Sequence, residues 1–315
     1  MDLAKLAADL RGYEGVIRKN GIGSVAREMG LADVYGDDAA IVKLDGKTLL
    51  FACDSINEGL IEADPYFAGY SAVLVNVNDI AAMGGKPVAL VNVLSSKDET
   101  VAQMIARGVG DAARKFAVPV VGGHFNPNSS CNGVAVSILG EAGRGDIIKG
   151  SNAEPGDVII ATIDLDGITH PRYELAWDST SSKSAETVQR NLGLLRILAK
   201  QKLVKSCRDI SSPGLIGTLG MLLEASGVGG TVDLEKIPCP KGVAMSHWLK
   251  VYPGYGFIFT AEKSRAQGVI KMFQEQNISA SVIGLVDDTK KLILSYQGDE
   301  EVVFDFNRQS ITGVR

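Results

Sequence analysis

The sequence predicts an α/β chain with mixed sheets, organised as two domains. Two observations carry that expectation. Apolar strand-like runs alternate with helical stretches in both halves of the chain. The alternation restarts after the turn Pro155-Gly156-Asp157. A length of 315 residues also favours two domains over one. The boundary is placed near residue 150, which gives domains of 1–150 and 151–315.

Read in order, the chain opens with an amphipathic helix over roughly residues 2–12, followed by the loop "KNGIG". "SVAREMG" reads as a helix capped by Ser24 and stopped by Gly30. "AAIVKL" and "TLLFACD" are strands, and Asp45-Gly46 between them is a hairpin signal. "FAGYSAVLVNVNDIAAMG" has helical spacing and ends at Gly84-Gly85. "PVALVNVLS" is a strand. The helix "DETVAQMIARGVGDAARKF" follows, with Asp98 or Thr100 at its start and basic residues late, as the helix dipole prefers. "VPVVGGH" reads as a buried strand ending in two glycines, and "GVAVSILGEA" as another strand. The second half runs strand (158–164), irregular segment (166–184), helix (185–201), loop, helix (213–226), strand, helix and strand.

Composition narrows the function classes. Lys and Arg total 32 against 37 Asp and Glu, and no basic block stands out, so nucleic acid and membrane are not expected partners. Cys53, Cys131, Cys207 and Cys239 form no C-x-x-C pair and read as buried thiols in a reducing compartment. The first residues carry Asp2 and Asp9 and lack the apolar core of a signal peptide, and no run approaches a membrane span. A cytoplasmic location is therefore expected.

Acids recur at the edges of apolar runs: Asp37 and Asp38 before one, Asp54 at the end of another, Asp79 beside Asn78 within a third. Each has an ordinary explanation as a turn or cap residue. Brought together, they would repel, and a hard divalent cation such as Mg²⁺ would relieve the repulsion while sharing its other positions with phosphate. "MGG" (Gly84, Gly85) and "VGG" (Gly122, Gly123) offer backbone amides that phosphate oxygens could approach. Neither a P-loop nor a dinucleotide fingerprint occurs. In "CRDISSPGLIGTLG", Asp209, Ser211 and Ser212 precede an apolar helix, where they read equally as caps or as an anion-facing helix start.

The ordered blocks "GDDAAIV", "CDSINEG", "VNVNDIAAMGGKP", "VPVVGGH", "PGDVIIATID" and "DISSPGLIGTLGMLLEASGVG" resemble the PurM-like ATP-binding superfamily of aminoimidazole ribonucleotide synthetase. Its members include thiamine-monophosphate kinase, selenophosphate synthetase and the hydrogenase maturation factor HypE. "RKNGIG", "DLDGITHPRYELAWDSTSSKS" and "HWLKVYPGYGF" resemble more closely the methanogenesis marker protein 2 family. The resemblance implies an N-terminal domain that pairs with a second subunit into a barrel, a C-terminal α/β domain, and ATP with Mg²⁺ in the cleft. It implies that Asp37, Asp54 and Asp79 hold the metal, with Asp38 a less certain ligand. Gly122 and Gly123 would lie against phosphate, and Asp209 would reach in from the second domain. The implied activity is transfer of the γ-phosphoryl group to an unidentified small-molecule or protein acceptor during cofactor assembly.

The chain departs from its relatives at informative places. His124 stands where the thiamine-phosphate kinase has the Asp of Gly-Gly-Asp, so it reads as a phosphate contact, a proton-transfer group or a structural residue. Ser212 replaces that kinase's second acid, and the reactive cysteines of the selenium enzyme and of HypE are missing. Thiamine-monophosphate kinase activity and a non-enzymatic ATP-binding regulatory role remain the alternatives. Trp177, Asp178, Lys183, Tyr252 and Tyr255 are expected around the acceptor, or as plain core and lid packing.

Overall fold

The computed structural model describes residues 1–31 and 36–314. In chain order, the elements are α1 (Leu3–Arg11), α2 (Glu14–Ile17), α3 (Ile22–Glu28), β1 (Ala40–Leu44), β2 (Lys47–Ser55), α4 (Glu58–Ala63), α5 (Pro65–Ala82), β3 (Lys86–Ser96), α6 (Glu99–Lys115), β4 (Val120–Pro127) and β5 (Gly133–Ala142). The chain continues through β6 (Val158–Ile163), β7 (Ile168–Thr169), β8 (Trp177–Asp178), α7 (Ala185–Gln201), β9 (Ser206–Asp209), α8 (Gly214–Ser226), β10 (Gly229–Asp233), α9 (Met245–Trp248), β11 (Gly256–Ala261), α10 (Lys263–Gln274), β12 (Ser279–Asp287), β13 (Lys291–Tyr296) and β14 (Asp299–Asp305). They fall into two compact units. One comprises Met1–Asp37, Ile148–Asp166 and Lys202–Arg315; the other comprises Asp38–Ile147 and Gly167–Gln201. The expected division near 150 sits beside one of four crossings, and the structure adds three more.

The unit around residues 38–147 holds a five-stranded sheet of order β1-β2-β5-β3-β4. All its pairings are antiparallel except β3 with β4. Asp45 and Gly46 both take positive φ, 48° and 77°, the geometry of a two-residue hairpin turn between β1 and β2. One face packs on helices: Leu50, Leu90, Leu94, Val134, Val136 and Ile138 join a core with α5 and α6. The other face carries Val42, Leu44, Phe51, Val91 and Val93, all exposed.

β4 departs from the sequence reading. It is an edge strand, every residue of it is exposed, and its glycines lie inside it rather than at its end. The reason is topological: β4 pairs on one side only, with β3.

α5 begins with Pro65 and is capped by Asp64, whose carboxylate accepts the Phe67 N–H at 3.0 Å. From Phe67 to Ala82 every residue is buried. α6 lies against it at backbone distance: a Cβ on Gly69 would stand 2.1 Å from the Ile105 carbonyl oxygen, and one on Gly108 would stand 2.0 Å from that of Tyr66. Asp98, not Thr100, caps α6, accepting the N–H groups of Thr100 and Val101.

The other unit holds a seven-stranded sheet of order β14-β13-β10-β12-β6-β11-β9, in which only β10 and β13 are parallel. Its central strands β6 and β11 are buried throughout. The hairpin β13–β14 and the short β9 go beyond the elements expected from sequence. α3 starts two residues before Ser24, whose hydroxyl donates to the Gly21 carbonyl instead of capping the helix. Cys53 and Cys131 are exposed, Cys239 is half-buried and only Cys207 is buried, so the expectation of uniformly buried thiols fails for three of the four.

Two glycines of α6 test the helix contact. Gly108→Ala is expected to lower stability by about 1–3 kcal/mol, the range for forcing atoms into a packed interior. Gly110 has only the Arg114 side chain near it, at 3.4 Å, so Gly110→Ala is expected to raise stability by about 0.5–1 kcal/mol. Urea denaturation of the two variants measures both signs.

Candidate functional site

α5 is apolar around its circumference yet carries Asn76, Asn78 and Asp79 near its C-terminal end, all buried. Asn76 uses both ends of its amide: Oδ1 accepts the Asp54 N–H at 3.2 Å, and Nδ2 donates to the Ala72 carbonyl at 2.8 Å. The end of β2 is thereby tied to the helix. Asp79 is 7 % exposed, and one of its oxygens lies within 4.8 Å of a carboxylate oxygen of half-buried Asp38, just before β1. Two carboxylates so placed repel unless a proton or cation intervenes, and hard oxygen donors of this kind suit Mg²⁺.

The remaining acids have contacts of their own. Asp37, the expected ligand ahead of Asp38, accepts the Gly150 N–H through Oδ1 at 2.7 Å, so a backbone amide engages one of its two oxygens. Asp54 is exposed on β2. Asp209 is the last residue of β9 and is buried in its own unit. Ser211 donates its N–H to Thr218 Oγ1 at 3.3 Å, and its carbonyl accepts the Gly214 N–H at 2.8 Å. α8 has Pro213 at its N-cap with no side-chain cap, so the capping reading of Asp209, Ser211 and Ser212 is not what the helix uses.

The two glycine pairs also part company with expectation. Gly85 N–H donates to the Ile80 carbonyl and Gly84 N–H to that of Ala81, and Gly84 takes φ +75°. This closes the end of α5, so those amides are engaged by the helix and not left for phosphate. Gly85 is further required by packing, because a Cβ there would stand 2.4 Å from Leu50 Cδ1. On β4, a Cβ at Gly123 would stand 2.2 Å from Asn92 Oδ1, whereas at Gly122 it would meet only Val91 Cγ1, at 3.7 Å. His124 is exposed. It borders a groove of about 400 Å³ with Asn92, Leu94, Glu99, Gln103 and Phe125.

The segment expected around the acceptor is largely structural. Trp177, Ser179 and Thr180 are buried. Asp178 accepts the N–H groups of Thr180 and Ser181, and Lys183 Nζ donates to the Ser179 carbonyl at 3.0 Å. Lys115 Nζ donates to the carbonyls of Thr180 and Ser181, and Tyr70 Oη to Thr180 Oγ1 at 3.0 Å. Burial raises the Tyr70 phenol pKa and lowers that of the Lys115 ammonium. Tyr255 is buried edge-on against Phe257, a core contact.

Sequence reading missed a cluster on the same unit. His170, 7 % exposed, stacks on Phe67 with ring centroids 4.8 Å apart, and its Nε2 faces Asp64 Oδ2 at 3.3 Å. Arg172 Nη2 reaches the same oxygen at 2.5 Å. Asp64-Pro65 is a legible helix start, but its partners lie more than a hundred residues on, where no local pattern points to them.

These features accompany a clear relationship. Residues 36–142 match the N-terminal domain of AIR synthase related proteins, and residues 154–297 match the C-terminal domain. The chain belongs to the AIR synthase related family and has its PurM-like fold. It is 43 % identical to an uncharacterized protein of Methanocaldococcus jannaschii, over 99 % of this chain and all of that one. It is 26 % identical to thiamine-monophosphate kinase of Buchnera aphidicola, over 85 % of this chain and 89 % of the kinase. Among solved structures, T. maritima PurL complexed with ADP superposes with a TM-score of 0.80 at 17 % identity, covering 98 % of this chain and 52 % of PurL. ThiL complexed with AMPPCP and TMP gives 0.68 at 22 % identity, covering 89 % and 95 %. Among the described residues, no helix is long and apolar enough to cross a membrane.

Asp64 supplies a test by pH. Burial pushes its pKa up, but the Phe67 N–H, the Arg172 guanidinium and His170 outweigh this and hold it below the ordinary carboxylate value. A group with a depressed folded pKa stabilises above its unfolded pKa and loses that contribution as pH falls through the folded one. The stability lead of wild type over Asp64→Asn is therefore expected to be full above about pH 4 and to shrink below it. Thermal denaturation of both proteins across that range measures the difference.

Proposed function

We propose that the chain is an ATP- and Mg²⁺-dependent phosphoryl-transfer enzyme whose acceptor is a small molecule or a protein group, as in cofactor assembly. The observation that carries the reading is the approach of the Asp38 and Asp79 oxygens, one of them on a buried helix. Two relatives support the nucleotide: PurL has been captured with ADP, and ThiL with the ATP analogue AMPPCP. The cation would neutralise phosphate charge and orient the γ-phosphoryl group, which is most of what such transfer requires. Asp38 and Asp79 are the proposed ligands that present it, with Asp54 as a further acid of the same unit. Asn78 holds a place beside Asp79, and Gly122, the glycine with room above it, is the proposed phosphate contact. His124 is proposed to act at the transferred group. Ser212, in place of a second acid, argues against thiamine monophosphate as acceptor.

Calorimetric titration with AMPPCP tests this. Wild type is expected to bind at least about tenfold more tightly with Mg²⁺ than without, a difference of about 1.4 kcal/mol. Asp79→Asn and Asp38→Asn are expected to abolish that difference. Equal affinity with and without Mg²⁺ in wild type would remove the basis of the reading.

We further propose a homodimer joined through the outer face of the five-stranded sheet. Its support is the apolar character of that face, where Phe51 is 47 % and Val93 49 % exposed, in an open sheet whose edges are β1 and β4. Val93→Lys combined with Phe51→Lys is expected to shift the sedimentation coefficient to that of a monomer while the circular dichroism spectrum stays unchanged.

A further inference from the structure

We infer that a groove between α7 and the start of β3 is a separate binding site, one that takes a small phosphate-bearing anion. It shares no residue with the proposed cation site and stands or falls without it.

The groove has a volume of about 560 Å³, inside the range of about 300–1,000 Å³ in which small-molecule sites fall. Both of its walls belong to the unit of residues 38–147 and 167–201. One wall is α7, whose inner side is buried through Leu194, Leu195 and Leu198. Gly193, Arg196, Ile197 and Lys200 recur at helical spacing and form the stripe that lines the groove. The other wall is Lys86, the first residue of β3, with the end of β5 and the turn that follows it.

Three cations, Lys86, Arg196 and Lys200, meet in this lining against two carboxylates, Glu141 and Asp146. None of the five side chains forms an ion pair or hydrogen bond with another described residue. Glu141 stands opposite Lys86 in the β3–β5 register, yet the two do not pair. Asp146 turns back over Gly143: its N–H donates to the Gly143 carbonyl at 3.0 Å, and a Cβ on Gly143 would stand 2.2 Å from its Oδ2. The helix dipole accounts for Lys200, in the last turn of α7, but not for Arg196 or Lys86. Arg196 and Lys200 are four residues apart on one helix, where like charges repel. An anion held between them relieves that repulsion, and phosphate suits both the guanidinium fork and the lysine ammonium.

Gly193 points to a ligand independently of the charges. It lies inside α7, where glycine costs stability relative to alanine. A Cβ there would meet no atom within 4 Å, so no neighbour in the fold requires its absence. Its bare backbone widens the groove one turn before Arg196, where a bound molecule gains the space that a side chain would take.

The test is calorimetric titration with tripolyphosphate, at low salt and without Mg²⁺. It compares wild type with Arg196→Ala, Lys86→Ala, Gly193→Leu, Asp79→Asn and Lys263→Ala, the last an exposed lysine at the start of α10 in the other unit. Wild type is expected to bind with a Kd below about 1 mM. Arg196→Ala and Lys86→Ala are each expected to weaken binding at least about fivefold, and Gly193→Leu, which keeps every cation and fills the groove, at least about tenfold. Thermal melts show that each variant is folded. Asp79→Asn and Lys263→Ala are expected to bind as wild type does. No binding by wild type would overturn the site. So would wild-type affinity in Gly193→Leu or an equal loss in Lys263→Ala, since either reduces the groove to loose attraction between a charged surface and a polyanion. A loss confined to Asp79→Asn would place the anion at the proposed cation site and remove the groove while leaving that reading intact.

Discussion

The unit that carries Asp38 and Asp79 depends on one close approach, that of α5 and α6 at Gly69 and Gly108. Each glycine leaves room where the other helix's backbone carbonyl lies, so the helices touch main chain to main chain. That approach lets α5 sink until every residue from Phe67 onward is buried. A helix enclosed on all sides has no solvent face on which to place polar residues. Asn76 and Asp79 therefore sit inside the unit, and each has to be satisfied there.

That requirement links packing to chemistry. Asn76 satisfies its amide by bonding the β2 backbone and its own helix, which joins strand and helix beside the acids. Asp79 is held where desolvation disfavours its charge and where another carboxylate stands nearby, conditions under which a cation lowers the free energy most. The Asp64–His170–Arg172 cluster does related work at the opposite end of the helix. Its carboxylate caps α5 and collects the segment containing residues 170–172. Polar groups at both ends of α5 thus decide where the apolar helix begins, where it ends and what it holds.

Much of this was legible in the sequence, and the failures have physical causes. α5, α6, α7 and the β1–β2 hairpin follow from apolar spacing, Asp98 and Asp45-Gly46, all of which act within a few residues. β4 was misread because "VPVV" has the composition of an interior strand, while burial is decided by neighbours that only topology supplies. "MGG" invited a phosphate-binding reading because a glycine pair looks the same whether its amides face a ligand or close a helix. Asp37 and Asp38 are indistinguishable in sequence, and their different contacts emerge only where the Gly150 N–H bonds the first. "WDSTSSKS" looked like a polar recognition loop, but its side chains bond one another and its carbonyls bond Lys115. The hairpin β13–β14 and the four-residue β9 went unread because short strands give little periodicity to find.

The threading of the chain has a consequence for biosynthesis. Residues 1–37 belong to the same unit as residues 202–315, and Arg11 of α1 donates to the Val302 carbonyl on β14. An emerging chain can finish the unit around the five-stranded sheet once Gln201 has left the ribosome. Its α1, by contrast, packs on β14, whose Val302 is made 291 residues after Arg11. During translation the amino-terminal apolar side chains Leu3, Leu6 and Leu10, buried in the finished molecule, have no completed surface to bury against. Residues 38–147 with 167–201 can thus close as a unit before the segments on either side of them meet.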